Sequence, residues 1–368
     1  MIEGFGDIFR NKNVLVTGHS GFKGSWLTLW LQHLGAKVTG CSIAPDAIPG
    51  LWQLIGDLPS EQDLRQDIRD KDSMRKLVVD AQPDFVFHLA AQAIVRESYR
   101  TPLETLETNV MGTANLLDAL RLLEKPCSVV VVTSDKCYEN INSVNGYREG
   151  DPMGGHDPYS MSKGAAELVV ASWRRSFFAD SQIRVASARA GNVIGGGDWA
   201  QDRIVTDCIA SLMAKEPIGI RSPNATRPWQ HVLEPLSGYL WLAAKLSGDE
   251  GHTFSSAWNF GPPFDSVCCV EKFVKIAINK WGSGSWEDLS DPTALHEAQL
   301  LSLNWEKSQH LLNWRPVWDL QTAIGMTVDW FKRWHQDGSN DSMRQLCIDQ
   351  LHAFQSGAKK AEIEWASS

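Results

Sequence analysis

The run Thr17-Gly18-His19-Ser20-Gly21-Phe22-Lys23-Gly24 sets three glycines at intervals of three, right after a β-branched stretch, Asn13 to Thr17, and just before an apolar helical one, Ser25 to Leu34. A strand that turns at once into a helix needs a turn free of side chains. Gly18 permits the tight turn, Gly21 lets the backbone approach a pyrophosphate, and Gly24 lets helix pack on strand. The helix N-terminus then offers N–H donors and partial positive charge to an anion. The loop predicts the nucleotide-binding start of a βαβ unit, against the plainer reading of a glycine-rich turn without a ligand.

Strands and helices alternate through the first half. Lys37 to Ile43, Phe85 to Ala90, Ser128 to Thr133 and Arg184 to Ala190 read as strands. Ser73 to Ala81, Thr105 to Leu123 and Tyr159 to Phe178 carry helical periods. The run Val129-Val130-Val131-Val132 suits a strand covered on both faces. Such alternation predicts an α/β fold, a doubly wound parallel sheet of Rossmann type with helices on both faces. After Gly191, glycines and prolines (Gly195 to Gly197, Pro217, Pro223, Pro228, Pro262, Pro263) punctuate shorter elements. Residues 1–190 are expected to form the dinucleotide-binding domain, joined by returning segments near 230–262. Residues 191–368 form a smaller, mixed C-terminal substrate lobe interleaved with it. Leu236 to Leu246 reads there as a helix, Trp258 to Gly261 as a strand, and the tryptophan-rich C-terminal third as mostly helical.

Bulk properties narrow the function. A net charge of -9 over 368 residues argues against a dedicated nucleic-acid surface. Seven cysteines without a CxxC pair or a histidine at ligand spacing favour reduced thiols and predict no metal. No signal-peptide layout or bilayer-length apolar run is seen, so the cytoplasm is the expected location.

The chemistry centres on Thr133-Ser134-Asp135-Lys136 and on Tyr159 and Lys163, spaced i, i+4 on one helix face. Free tyrosine titrates near pH 10. The Lys163 ammonium and an oxidised nicotinamide would lower that value and make a phenolate base available. Lys163 can also hold the nicotinamide ribose, while Ser134, at a strand's C-terminal end, can donate to the same substrate oxygen. The acid that usually ends the second strand to hold the ribose hydroxyls is replaced by Ser42, which carries no charge. His19 and Lys23 leave room for a 2'-phosphate, hence for NADP beside NAD. Asp67 and Ile68 are placed to contact adenine, or form a plain surface turn.

These residues resemble the extended short-chain dehydrogenase/reductase family, in its nucleotide-sugar-modifying branch. The likeness runs from Val14 to about Gly261 and includes His88-Leu89-Ala90-Ala91-Gln92, Thr108-Asn109-Val110-Met111-Gly112-Thr113 and Arg227-Pro228-Trp229-Gln230-His231-Val232. It implies NAD as cofactor, with Phe22 and Ala90 also lining its site. In the branch's 4,6-dehydratases an acid pair, typically Asp-Glu, follows the hydroxyl residue. Here Asp135-Lys136 stands in that slot, a variant that, with Gly191-Asn192-Val193-Ile194-Gly195-Gly196-Gly197-Asp198-Trp199, is similar to dehydratases acting on CDP-glucose.

The resemblance implies a cycle in which Tyr159 deprotonates the sugar's C4 hydroxyl as C4 is oxidised. A proton then leaves C5 and water leaves C6, and hydride returns to C6. Asp135 is the expected acid for the departing hydroxyl. Lys136 is the expected C5 base, or an electrostatic support for the enolate if Asp135 handles both protons, or a structural ion pair. Asn192, Arg203 and Arg227 are expected at the substrate diphosphate. A homodimer through the two long helices, alone or doubled, and a place in deoxysugar synthesis for bacterial surface polysaccharide are further implications. The alternatives are an epimerase or decarboxylase of the same branch, which needs no C6 acid, and a Rossmann protein that only binds nucleotide.

Overall fold

The computed structural model describes residues 4–44, 50–200, 203–263, 266–290 and 301–367. In chain order the first half contains β1 (Asn13–Thr17), α1 (Phe22–His33), β2 (Lys37–Ser42), α2 (Leu51–Ile55), β3 (Asp63–Arg65), α3 (Lys71–Ala81) and β4 (Phe85–His88). It continues with α4 (Val95–Arg100), α5 (Pro102–Leu106), α6 (Gly112–Leu120), β5 (Cys127–Val132), α7 (Pro158–Ser176) and β6 (Ile183–Arg189). The second half adds short strands β7 (Val193–Ile194), β8 (Ile218–Ile220), β9 (Thr226–Pro228), β10 (Gln230–His231), β11 (Ala257–Asn259), β12 (Val267–Cys269) and β13 (Trp286–Asp288). Between and after them lie α8 (Ile204–Ala214), α9 (Leu233–Ser247), α10 (Val270–Trp281), α11 (Glu306–Leu312), α12 (Leu320–Gln336), α13 (Asn340–Lys360) and α14 (Glu364–Ser367).

Seven strands form one sheet in the order β11-β6-β5-β4-β1-β2-β3, every pair parallel. The order reverses between β1 and β4, so a crevice opens at their C-terminal ends, where open α/β sheets take ligands. Every residue of β5 is buried, as a strand with helices on both faces requires. Two apolar clusters occupy the two sides of the sheet; Val14 and Val16 of β1 point into one, Leu15 into the other. The period-2 alternation of a strand thus serves both cores at once.

The stretch expected as one helix over Thr105 to Leu123 is broken. α5 begins at Pro102, Glu107–Met111 forms a π-turn, and α6 ends at Leu120. Asn109 explains the widening, since π-bulges re-aim single side chains. Its carbonyl accepts from the Gln92 N–H (2.8 Å), and its amide donates to Gln92 O (2.9 Å) and Ser162 Oγ (2.8 Å). One side chain thereby ties the loop after β4 to α7.

Much of the tryptophan content closes the fold at its far end. Trp365 stacks on Phe5 with centroids 4.9 Å apart and meets Trp30 edge-on. The C-terminal helix is held against the N-terminal segment and α1 by this cluster.

Candidate active site

The strand-to-helix geometry brings the hydroxyl, the acid and the tyrosine together. β5 ends at Val132, and Ser134 and Asp135 follow at its C-terminal edge, both buried. α7 starts where Asp157 caps it, accepting from the Ser160 N–H (2.9 Å), with Pro158 in the first turn. That start puts Tyr159, Lys163 and Glu167 on successive turns of one face, all buried. Ser134 Oγ donates to Asp135 Oδ1 (2.9 Å). The Lys136 N–H donates back to Ser134 Oγ (3.2 Å), and the Lys136 side chain is half-buried. Asn192, in the left-handed region at φ 51°, points its amide at Asp135 Oδ2 (3.4 Å). A Cβ on Gly191 would lie 1.8 Å from that carboxylate oxygen, so only glycine admits the acid here.

Burial dominates the electrostatics. It pushes the Tyr159 phenol up to about 12, against the pull of the Ser134 hydrogen bond and the Arg203 guanidinium. At Lys163, Glu167 and Cys137 partly offset the burial that pushes its ammonium down to about 8.

Glu167, Ser187 and Arg189 were not singled out by the sequence. The carboxylate accepts from Thr133 Oγ1 (2.5 Å), Ser187 Oγ (2.7 Å) and Arg189 Nη2 (2.8 Å), and both ionic side chains are at most 4% exposed. Burial would push its carboxyl up, but Arg189 and the two hydroxyls outweigh it and hold it low. Arg189 continues the chain by donating to the Tyr138 hydroxyl (2.6 Å), which donates to Asn259 (2.8 Å). The available signal was the spacing: Glu167 repeats the i, i+4 step of Tyr159 and Lys163.

The loop after β1 fits a dinucleotide. Gly18 has φ 76°, and a Cβ there would stand 2.6 Å from Ala90 N. A Cβ on Gly24 would meet Gly18 O at 2.0 Å, so helix and loop touch without space for a side chain. Gly21, the residue before α1, makes no side-chain cap, which leaves the first N–H groups of α1, starting at Phe22, directed to the crevice. Ser42 ends β2 as expected; its hydroxyl is bonded to Ser20 Oγ (2.6 Å) and accepts from Arg65 Nη1 (3.0 Å).

His19 and Lys23 do not form a 2'-phosphate site. The His19 ring is fully buried, bonded to Asp63 (2.7 Å) and set edge-on to Trp52, because Gly40 of the neighbouring strand leaves room for it inside. Lys23, half-buried on the first turn of α1, lies in the field of Arg203, Asp135, Lys163 and Asp198, and burial above all pushes its amine down to about 8. The Asp67 carboxylate is held by Arg69 (2.6 and 2.8 Å), and the Ile68 side chain is buried under Gly112 of α6.

Of the expected diphosphate residues, Arg203 lies at the cluster and donates to Asp198. Asn192 faces Asp135, as above. Arg227 sits on β9, half-buried, with Nη1 donating to Thr226 O (2.9 Å). Among the described residues there is no group of three histidine, cysteine or acidic side chains able to hold a metal, and no helix long and apolar enough to cross a membrane.

The family model for GDP-mannose 4,6 dehydratase matches residues 15–327. The CDP-glucose 4,6-dehydratase of Salmonella typhimurium (strain LT2) is 45% identical over 333 residues, covering 89% of this chain and 92% of the relative. Among solved structures, DesIV of Streptomyces venezuelae, a dTDP-glucose 4,6-dehydratase with NAD and TYD bound, aligns with a TM-score of 0.72 at 21% identity, over 87% of this chain and 97% of that one. The UDP-glucose 4-epimerase of Thermotoga maritima, with UDP-glucose, aligns at 0.73 and 22%, over 87% and 99%. Those two likenesses speak for the fold. With the family match and the 45% relative, the chain belongs to the GDP-mannose 4,6 dehydratase family, of extended short-chain dehydrogenase/reductase fold.

Proposed function

We propose that the chain is an NAD-dependent CDP-glucose 4,6-dehydratase, which converts CDP-glucose to CDP-4-keto-6-deoxyglucose. The observation that carries this reading is the buried trio of Ser134, Asp135 and Tyr159, in which the Ser134 hydroxyl donates to Asp135 and lowers the pKa of the Tyr159 phenol. An epimerase or decarboxylase needs the tyrosine but no acid for a leaving group at C6. The cytidine base and the glucose are supported by the Salmonella relative.

The Gly18–Gly24 loop, Ser42, Ala90 and Lys163 would hold the dinucleotide, which would supply the hydride acceptor for C4, the hydride donor for C6 and, when oxidised, positive charge to lower a Tyr159 phenol that burial pushes up to about 12. Tyr159 takes the C4 hydroxyl proton, with Ser134 donating to the same oxygen. The C4 ketone acidifies C5, and Lys136 takes the C5 proton. Asp135 gives its proton to the C6 oxygen as the C6–O bond breaks and water leaves. Lys136 returns its proton to C5 when C6 is reduced. The proton on Tyr159 passes through the Ser134 hydroxyl to Asp135, which restores all three groups. Arg203 and Arg227 bind the substrate diphosphate.

Oligomerisation and location follow the same reading. Tyr99, Leu103, Met111, Met161 and Leu168 are exposed apolar residues on and beside α4, α5 and α7. They support a homodimer through these helices, alone or as a dimer of dimers, which light scattering tests. The seven free thiols suit the cytoplasm.

The test of the reaction is an isotope transfer. CDP-glucose carrying deuterium at C4 should yield a product with deuterium at C6. Product in which the label stays at C4 or is lost to solvent refutes the cycle.

A further inference from the structure

The residues proposed for the elimination sit on a single turn, Ser134 to Cys137, just beyond β5. Its internal bonds run between Ser134 and the three residues after it: Ser134 Oγ to Asp135 (2.9 Å), the Lys136 N–H to Ser134 Oγ (3.2 Å) and the Cys137 N–H to Ser134 O (3.3 Å). Such bonds shape the turn without fixing it relative to the rest of the site. What holds the residues on either side therefore matters.

Those flanking residues are Thr133 and Tyr138, and one buried ion pair takes both. Thr133 Oγ1 donates to Glu167 (2.5 Å), Arg189 Nη1 donates to the Tyr138 hydroxyl (2.6 Å), and Arg189 Nη2 closes the pair with Glu167 (2.8 Å). The Arg189 guanidinium also lies over the Tyr138 ring, 4.9 Å from its centroid. All four side chains are buried. Glu167 stands one turn after Lys163 on α7, and Arg189 ends β6, two residues before the Gly191 that admits Asp135. Stability alone does not account for such a pair, since apolar side chains of similar volume often hold a core as well or better; a fixed relative geometry is what it can add.

We propose that Thr133 and Tyr138 are positioning residues for the elimination, through which the Glu167–Arg189 pair grips the Ser134–Cys137 turn on both flanks and holds Asp135 and Lys136 in register with C5 and C6 of the sugar. This rests on the reading of Asp135 and Lys136 as the groups that exchange protons there. Neither positioning hydroxyl gains or loses a proton in the cycle.

The test uses Thr133→Val and Tyr138→Phe, each the loss of one hydroxyl, beside Thr133→Ser, Asp135→Asn and the parent chain, all with NAD and CDP-glucose. Single-turnover absorbance of the reduced nicotinamide reads C4 oxidation, and mass spectrometry reads water loss. C4 oxidation depends on the turn only through Ser134, whereas water loss needs both Asp135 and Lys136. The ratio of water loss to C4 oxidation should therefore fall about tenfold in Thr133→Val and in Tyr138→Phe, the rate equivalent of one hydrogen bond to a charged partner, with KM unchanged. Thr133→Ser keeps the hydroxyl and should keep the parent ratio. A change that only weakens the fold lowers both steps alike, so an unchanged ratio in either hydroxyl deletion, with Asp135→Asn slowed, overturns the two-sided grip. Thr133→Ser as impaired as Thr133→Val also overturns it, because the hydroxyl is then not what matters. If Tyr138→Phe does not fold, the Thr133 series decides alone. Asp135→Asn that dehydrates at the parent rate removes the acid reading itself, and the proposal with it.

Discussion

Removing the charge of Glu167 should alter both stability and pH dependence, by amounts the structure allows to be worked out. Glu167→Leu strips Arg189 of its ionic partner in a site at most 4% exposed, and leaves the Thr133 and Ser187 hydroxyls without their acceptor. Breaking a buried pair from one side costs about 3–5 kcal/mol. At about 2 °C per kcal/mol for a chain of this size, the melting temperature should fall by roughly 6–10 °C. Glu167→Gln keeps an acceptor oxygen and should fall less. Its informative effect is on Lys163, which is an ammonium below about 8 and loses its proton as pH rises through that value. An i, i+4 pair stands roughly 6 Å apart, and at an effective dielectric near 20 the carboxylate stabilises the ammonium by about 2–3 kcal/mol, or about two pH units. The alkaline limb of kcat/KM, which reports the free enzyme, should therefore move from near pH 8 down to roughly 6–7. Glu167→Gln with an unmoved limb and a lower kcat at every pH would show that Glu167 only holds the fold together.

Other substitutions separate the roles of the cluster. Asp135→Asn should leave C4 oxidation intact and slow water loss by about 10²–10⁴-fold, measured as reduced nicotinamide that accumulates in a single turnover. Tyr159→Phe should abolish C4 oxidation while calorimetry still detects binding of CDP-glucose. Gly24→Ala puts a methyl 2.0 Å from Gly18 O and 2.7 Å from His19 Cα, backbone atoms that cannot swing aside. It should weaken NAD binding at least about tenfold by titration calorimetry, because the loop must open by an ångström or more to admit it.

The parallel sheet was legible because its signals are local. The valines of β5, the glycines after β1 and the Asp157-Pro158 start of α7 each act within a few residues. What could not be read depends on neighbours far along the chain. The break in the helix at Glu107–Met111 follows from Asn109 reaching Gln92 and Ser162, contacts that no periodicity contains. His19 looked like a surface cation beside a phosphate loop. Only the bare Gly40 of the next strand and the Asp63 carboxylate beyond it reveal a buried ring. Lys23, three residues from Ser20, lies on the first turn of α1 in the field of Arg203 and Asp135, residues far from it along the chain. The hydroxyl, acid, tyrosine and lysine that lie buried after β5 and on α7 were all legible as candidates. Glu167, whose carboxylate is held by Thr133, Ser187 and Arg189, shares no motif with them.

Mass spectrometry of CDP-, dTDP-, UDP- and GDP-glucose after incubation with the protein and catalytic NAD tests the central claim most directly. The account predicts loss of one water from CDP-glucose and from none of the other three. Water lost instead from a different nucleotide sugar would contradict the substrate, and unchanged masses for all four would contradict the dehydratase assignment.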